Sequence, residues 1–214
     1  MTRSDRRLLW MGLAVLAGLV ASGIKPYDRV TWILEVAPVL VAAPLLYATR
    51  ERFPLTPLLY AVICVHCLVL ILGGTFTYAR VPLGFWLQDL LGTARNPYDK
   101  IGHFMQGFVP VMVAREILLR GGYVRAGRMA AFLCVCVALA VSAVYELVEW
   151  WAALVMGQGA DQFLGTQGDQ WDTQSDMFMA LLGACAALAA LSRLHDRQIA
   201  ALNPPGKPRS ASTA

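Results

Sequence analysis

The sequence predicts an all-α fold, a polytopic membrane helical bundle of six transmembrane helices plus an interfacial amphipathic helix. Three observations predict it. Of 214 residues, 57% are hydrophobic and only 15% charged, with a mean hydropathy of +0.54, whereas a soluble domain carries about 25% charged residues. The apolar residues are gathered into runs long enough to cross a bilayer. Lys and Arg are dense in alternate loops, which is the signature that orients membrane helices. This pattern excludes a soluble globular domain. A formal net charge of +4 placed around membrane segments gives no case for nucleic acid as a partner.

Each element can be justified in order. The first span, about 8–24, follows the basic flank Arg3, Arg6 and Arg7. Small residues at Ala21 and Gly23 would suit signal-peptide cleavage. Hydrophobicity resumes at once, however, and the charge pattern needs this span, so it is read as retained. The second span, about 30–49, contains Glu35, Pro38 and Pro44. The third, about 55–74, carries His66 near its middle, expected as a hydrogen-bonded buried histidine. The fourth, fifth and sixth run about 98–119, 129–156 and 173–191. The aromatic pair Trp150 and Trp151 suggests that the fifth leaves the bilayer near Ala153. Residues 1–197 make a single integral membrane domain, and 198–214, rich in Pro, Ser and Ala, are expected to be a disordered cytoplasmic tail.

The loop between spans three and four holds its own helix signal. Leu83, Trp86, Leu87, Leu90 and Leu91 recur at helical spacing, with Gln88 and Asp89 between them. This predicts an amphipathic helix lying in the interface, Trp86 at headgroup depth.

Thirteen Lys and Arg fall at the N-terminus, the second and fourth loops and the C-terminus, against five in the other loops. The excess places both termini in the cytoplasm and turns the loops after spans one, three and five outward. All five cysteines (Cys64, Cys67, Cys134, Cys136, Cys185) sit in apolar runs and read as small buried hydrophobes.

Polar residues then stand out by position. In NPYDKIGHFMQ, Asp99 and His103 are four apart and share a helix face, with Gln106 three further on. Glu146 and Glu149 lie three apart on span five, and Asp172 and Asp176 lie four apart at the start of span six. Asp169 precedes them, and the fifth loop, with Asp161, Asp169 and Asp172, contains no Lys or Arg. A carboxylate on a transmembrane helix is costly unless it faces a bundle interior, water or a partner. His103 is the natural partner for Glu146, while Lys100 or Arg95 would offset Glu149 or Asp172 at the rim. Small residues Gly102, Gly107, Ala180, Gly183, Ala184 and Ala187 would let spans four and six approach closely.

The candidate catalytic set is therefore Asp99, His103, Glu146, Glu149, Asp169, Asp172 and Asp176. One chemistry it allows is a divalent metal site, Zn²⁺ or Mn²⁺, with Asp99, His103, Glu146, Asp172 and Asp176 as ligands. Such an ion activates water against a headgroup or lipid-linked substrate. A second is metal-free acid–base chemistry, because crowded carboxylates raise one another's proton affinity. A proton or ion pathway and a purely structural polar network are the remaining alternatives. Against a pathway, the cytoplasmic halves of spans four and five are apolar apart from Arg115 and Glu116, and the halves of the chain show no clear inverted repeat. His195, beside Arg193 after the last span, reads as solvated.

Four stretches, VPLGFWLQDLLG, NPYDKIGHFMQGFVPV, SAVYELVEWWAA and FLGTQGDQWDTQSDM, resemble the YjdF-type bacterial inner-membrane proteins, an uncharacterised family. The likeness covers essentially all of Leu8 to Leu191. A more distant resemblance is to VanZ-like proteins, whose Asp-Lys-x-x-His, later Glu and final Asp before a glycine match Asp99, Lys100, His103, Glu146, Asp172 and Gly183. Where that pattern has Gln and Asn, this chain has Glu149 and Asp176, and both departures add acidity. VanZ-like proteins are associated with glycopeptide resistance, so the resemblance implies a cell-envelope context and no particular reaction. The combined expectation is a multi-pass inner-membrane protein in contact with membrane lipids. Its outward-facing acidic and histidine pocket binds a divalent metal and an envelope lipid headgroup or lipid-linked substrate, and hydrolysis is one outcome. A small proton-coupled transporter and an accessory protein are the alternatives.

Overall fold

A computed structural model describes residues 3–157, 164 and 166–202. The described residues form seven α-helices: α1 Arg3–Ile24, α2 Arg29–Thr49, α3 Pro57–Phe76, α4 Pro82–Leu91, α5 Tyr98–Arg120, α6 Arg128–Met156 and α7 Asp172–Leu202, with a single 3₁₀ turn at Tyr78–Arg80. Local chemistry sets the ends. Asp28 accepts the Thr31 backbone N–H at 2.7 Å and caps α2, and that bond holds its carboxyl below the ordinary range. Thr56 caps α3 ahead of Pro57, which suits the first helical position. Gly92 adopts φ 64° and stops α4, a conformation that glycine takes without strain.

Five helices, all but α4 and α5, are long and apolar enough to cross a membrane. Helix α5 has 23 residues, the right length, but Asp99, Lys100, Arg115, Glu116 and Arg120 make it more polar than the rest. It is also the central helix. It packs against α3, α6 and α7, while α1 and α2 flank α3 on the outside. One apolar cluster joins α2, α3 and α5 through Val36, Val39, Leu70, Ile71 and Tyr98. Another joins α3, α5, α6 and α7 through Leu59, Val111, Met112, Cys134, Ala138 and Ala184. The outer faces carry exposed Phe132, Val144, Leu154 and Phe178, which is the surface a bilayer covers. This is an all-α polytopic membrane fold, with the short helix α4 presenting Leu83, Trp86, Leu90 and Leu91 outward.

The α5–α7 contact is close. A Cβ on Gly107 would overlap the Ala180 carbonyl, and one on Gly183 would overlap the Phe104 carbonyl. The two backbones touch directly, which only glycine allows.

Two expectations need correction. Helix α7 continues to Leu202, eleven residues beyond Leu191, and His195 within it is completely buried rather than solvated. His66, expected to be hydrogen-bonded, leaves its buried Nε2 without a hydrogen bond among the described residues. Of the expected tail, 198–202 are helical. Residues 203–214, like Asp161, lie outside the described residues. The four cysteines Cys64, Cys67, Cys134 and Cys136 and the fifth, Cys185, are all free thiols, with Cys136 and Cys185 on the exposed apolar faces.

Candidate functional site

The site is built where α5 begins. Asn96 donates from Nδ2 to the Val81 carbonyl at 3.0 Å and accepts the Tyr98 N–H at 3.0 Å. These bonds tie the entry of α5 to the start of α4. The adjacent position on α4 is Gly84, because any larger side chain would overlap the Asn96 amide. With its entry fixed, α5 projects Asp99 and His103 inward, one turn apart. His103 Nε2 lies 3.5 Å from Asp99 Oδ1.

Two further helices converge on the same imidazole. Helix α7 brings Asp176 Oδ2 to 3.8 Å from Nε2, and α6 brings Glu146 Oε1 to 3.7 Å from Nδ1. Gln106 Oε1 is closer still to Nδ1, at 3.0 Å, so Gln106 and not Glu146 makes the hydrogen bond there. His103 and Asp176 are 4% and 1% exposed.

A cationic rim covers this centre. Lys100 Nζ bridges Asp172 Oδ1 at 2.8 Å and Asp176 Oδ1 at 2.5 Å. Arg95 contacts Asp172 at 2.8 Å, Asp169 at 2.9 Å and the Thr166 carbonyl at 2.6 Å. Gln167 completes the seam by pairing both its amide groups with the Asn96 backbone. The loop before α7 is thereby fastened over the start of α5. Helix α4 anchors that start and leaves its own apolar residues exposed.

Every residue of the predicted set thus lies at one end of the bundle. Asp99, His103, Glu146 and Asp176 form the interior, and Glu149 is buried one turn from Glu146 on α6. Asp172 and Asp169 belong to the rim, their oxygens taken by Lys100 and Arg95. Glu35 from α2 joins these acids; it is 3% exposed and accepts the Tyr145 hydroxyl at 3.3 Å. Tyr145 also meets His103 edge-on, with ring centroids 6.2 Å apart. Tyr145 stands beside Glu146 and one turn from Glu149, and that adjacency is the signal that could have placed it.

The charge balance is uneven. Seven carboxylates (Glu35, Asp99, Glu146, Glu149, Asp169, Asp172, Asp176) meet Arg95, Lys100 and one histidine. Arg95 is engaged by the rim acids, and Lys100 is shared between Asp172, Asp176 and, at 3.8 Å, Asp99 Oδ2. The interior acids retain unused capacity, since Asp99 Oδ2 and Glu146 Oε1 are buried with no hydrogen bond among the described residues. Uncompensated carboxylates cost several kcal/mol each in such a setting, roughly, even after relaxation. The interior therefore needs protons or a cation. Ligand atoms of Asp99, His103 and Asp176 all fall within 4.8 Å of one another.

Fold and site together define a multi-pass integral membrane protein with an acid–histidine cluster buried at one end. The comparisons with known proteins identify which one it is akin to. The family described as "Predicted membrane protein (DUF2238)" matches residues 7–197. The Inner membrane protein YjdF of Escherichia coli (strain K12) is 59% identical over 201 residues, which are 93% of this chain and 96% of that protein. The chain belongs to this family of bacterial inner-membrane proteins. No solved structure matches it.

Proposed function

We propose that the cluster is a divalent-cation site, with Asp99, His103 and Asp176 as ligands and Glu146 beside them. The observation that carries this reading is the pair of buried, unbonded oxygens, Asp99 Oδ2 and Glu146 Oε1, around a histidine already within 3.5–3.8 Å of three carboxylates. Ligands held about 2.0–2.2 Å from a tetrahedral ion stand roughly 3.3–3.6 Å apart, so small side-chain shifts would seat Zn²⁺ or Mn²⁺. Asp172, already bound by Lys100 and Arg95, positions Lys100 rather than the ion. Glu149 and Asp169 support the site from its two edges.

With both termini cytoplasmic, as the charge pattern favours, this end faces the outer side of the inner membrane. There a bound ion supplies a Lewis acid for the phosphate of a lipid headgroup or lipid-linked substrate, and hydrolysis is the reaction class it suits. A proton-coupled carrier is less well supported, because the buried α5 residues between the site and the Arg115–Glu116 pair are Gly107, Val109, Val111, Met112 and Ala114, none of which carries a proton. A purely structural network is less well supported because its buried oxygens are left unpaired.

Metal analysis of purified protein tests the reading. Wild type is expected to carry close to one ion per chain, and His103→Ala to lose it. Wild-type protein free of metal after purification without chelators, and silent to added Zn²⁺ or Mn²⁺ in calorimetry, would overturn it.

A further inference from the structure

A separate feature lies at the opposite end of the bundle, between α1, α2 and α3. Helices α1 and α2 meet near their connection, where Trp32 donates to the Ser22 hydroxyl at 3.0 Å and a Cβ on Gly23 would touch the Trp32 ring. Eleven residues earlier the two helices have parted. A Cβ on Gly12 would find nothing within 4 Å. The gap between them is a cavity of about 420 Å³ lined by Met11, Gly12, Val15, Leu40, Pro44 and Ile63, with α3 as its floor.

The walls are almost wholly apolar, and the mouth is not. Arg50 lines it, its guanidinium stacked 3.8 Å over the Tyr47 ring and donating to the Tyr47 carbonyl at 2.8 Å. Its acidic neighbour Glu51 contacts it at 3.1 Å but is 82% exposed, so that pair offsets little of its charge. Arg6, Arg7 and Arg52 are exposed at the same end. Along α1 the lining runs from Leu8 to Leu19, eleven residues, roughly 16 Å at 1.5 Å per residue. That is about half of a 30 Å hydrocarbon core, or one leaflet.

We propose that this groove binds one acyl chain of an anionic phospholipid whose phosphate sits on Arg50. An apolar slot open to the bilayer is filled by lipid tails, its depth fits a single leaflet, and Arg50 stands at its mouth with Arg6, Arg7 and Arg52 exposed at the same end. Arginine matches a phosphate with paired N–H donors, and basic pockets between membrane helices select anionic headgroups. The inference stands apart from the metal reading, since no residue is shared between the two sites.

Native mass spectrometry of detergent-purified protein with added phosphatidylglycerol or phosphatidylcholine tests it. Wild type should retain one phosphatidylglycerol, in preference to phosphatidylcholine by about fivefold, the effect of one well-placed basic side chain. Gly12→Phe fills the slot and should reduce retention of both lipids at least as much. Arg50→Gln should bring phosphatidylglycerol down to the phosphatidylcholine level. Equal retention of the two lipids by wild type, or wild-type retention by a helical Gly12→Phe protein, overturns the proposal. If Gly12→Phe does not fold, Arg50→Gln decides, and an unchanged preference for phosphatidylglycerol overturns it.

Discussion

Helix α5 carries a histidine–carboxylate cluster at each end, and the two differ in how completely the oxygens of their buried carboxylates are used. At its C-terminal end Glu116 is fully buried. Its Oε1 accepts from the Thr56 N–H at 2.9 Å and from Arg120 at 2.6 Å. Its Oε2 accepts from the Thr56 hydroxyl at 2.7 Å and meets His195 Nε2 at 2.9 Å. His195 Nδ1 meets Arg115 at 3.1 Å, and Arg115 also donates to Asp196 at 2.6 Å. The Leu58 N–H donates to Gln198 at 2.8 Å one turn away. Two carboxylates meet two arginines and a histidine, and both oxygens of the buried Glu116 are bonded. At the N-terminal end, acids outnumber bases and two buried oxygens have no hydrogen bond. A saturated buried network fixes packing. An unsaturated one holds capacity for something else, and each orphaned group calls for an explanation. The first cluster is a clamp joining α3, α5 and α7, and the second is the candidate site.

The clamp should dominate stability. Glu116→Ala leaves His195, Arg120 and the Thr56 N–H and hydroxyl without their shared acceptor, and breaking a buried charged network from one side costs about 3–5 kcal/mol. Equilibrium unfolding in mixed micelles measures this. Glu116→Gln should fall between, because one amide oxygen still accepts while the NH₂ group faces donors. A loss below about 1 kcal/mol for the alanine variant, no more than an ordinary exposed pair, would break the distinction between the ends.

The two ends also differed in how legible they were. The acid–histidine end could be read from spacing alone. Asp99 and His103 recur on one helical face, Glu146 and Glu149 interrupt an apolar run, and the loop before Asp172 is acidic with no basic residue. Each of these is a local signal. The clamp was hidden because its partners are distant in sequence, His195 lying 79 residues from Glu116 and Thr56 lying 60 from it. Beside Arg193 and Asp196, His195 has the neighbours of a solvated residue. A weaker signal was present. Ala184, Leu188, Leu191, His195 and Gln198 follow one another at intervals of four, three, four and three, so the buried stripe of α7 runs on past the apolar run that ends at Leu191. Most helix ends were readable to within a few residues because apolar runs of bilayer length mark them. The end of α7 was not, because the helix outlasts the apolar run and packing, not hydropathy, decides where it stops.

A second variant lies between the ends. Gly183→Ala places a methyl against the Phe104 carbonyl, where the α5 and α7 backbones touch. Overpacking of this kind costs about 1–3 kcal/mol. Because both clusters depend on the α5–α7 register, the variant should weaken metal retention at one end and thermal stability at the other together. Gly12→Ala, which meets open space, serves as the matched control and should be neutral or slightly stabilising. Loss of metal with unchanged stability would show that the ends are independent.

The smallest stability effect is expected at the site itself. Asp99→Asn removes one negative charge from an interior in which carboxylates outnumber their partners. Relief of like-charge repulsion favours the variant, while loss of the contact with His103 at 3.5 Å opposes it. The contact is longer than an ordinary hydrogen bond between such groups, but Lys100 Nζ stands 3.8 Å from Asp99 Oδ2 as a second cation, so the two effects should nearly cancel. The metal-free variant is then expected to lie within about 1 kcal/mol of wild type, a surface-sized change despite a residue that is only 8% exposed. Metal should set the two apart. An ion bound only by the folded protein adds about 2.7 kcal/mol at a hundred times its dissociation constant, and Asp99→Asn should forfeit most of that. Thermal unfolding with chelator and then with Zn²⁺ or Mn²⁺ separates the two terms. A chelator-treated Asp99→Asn protein that loses as much stability as Glu116→Ala would show that both ends of α5 are clamps.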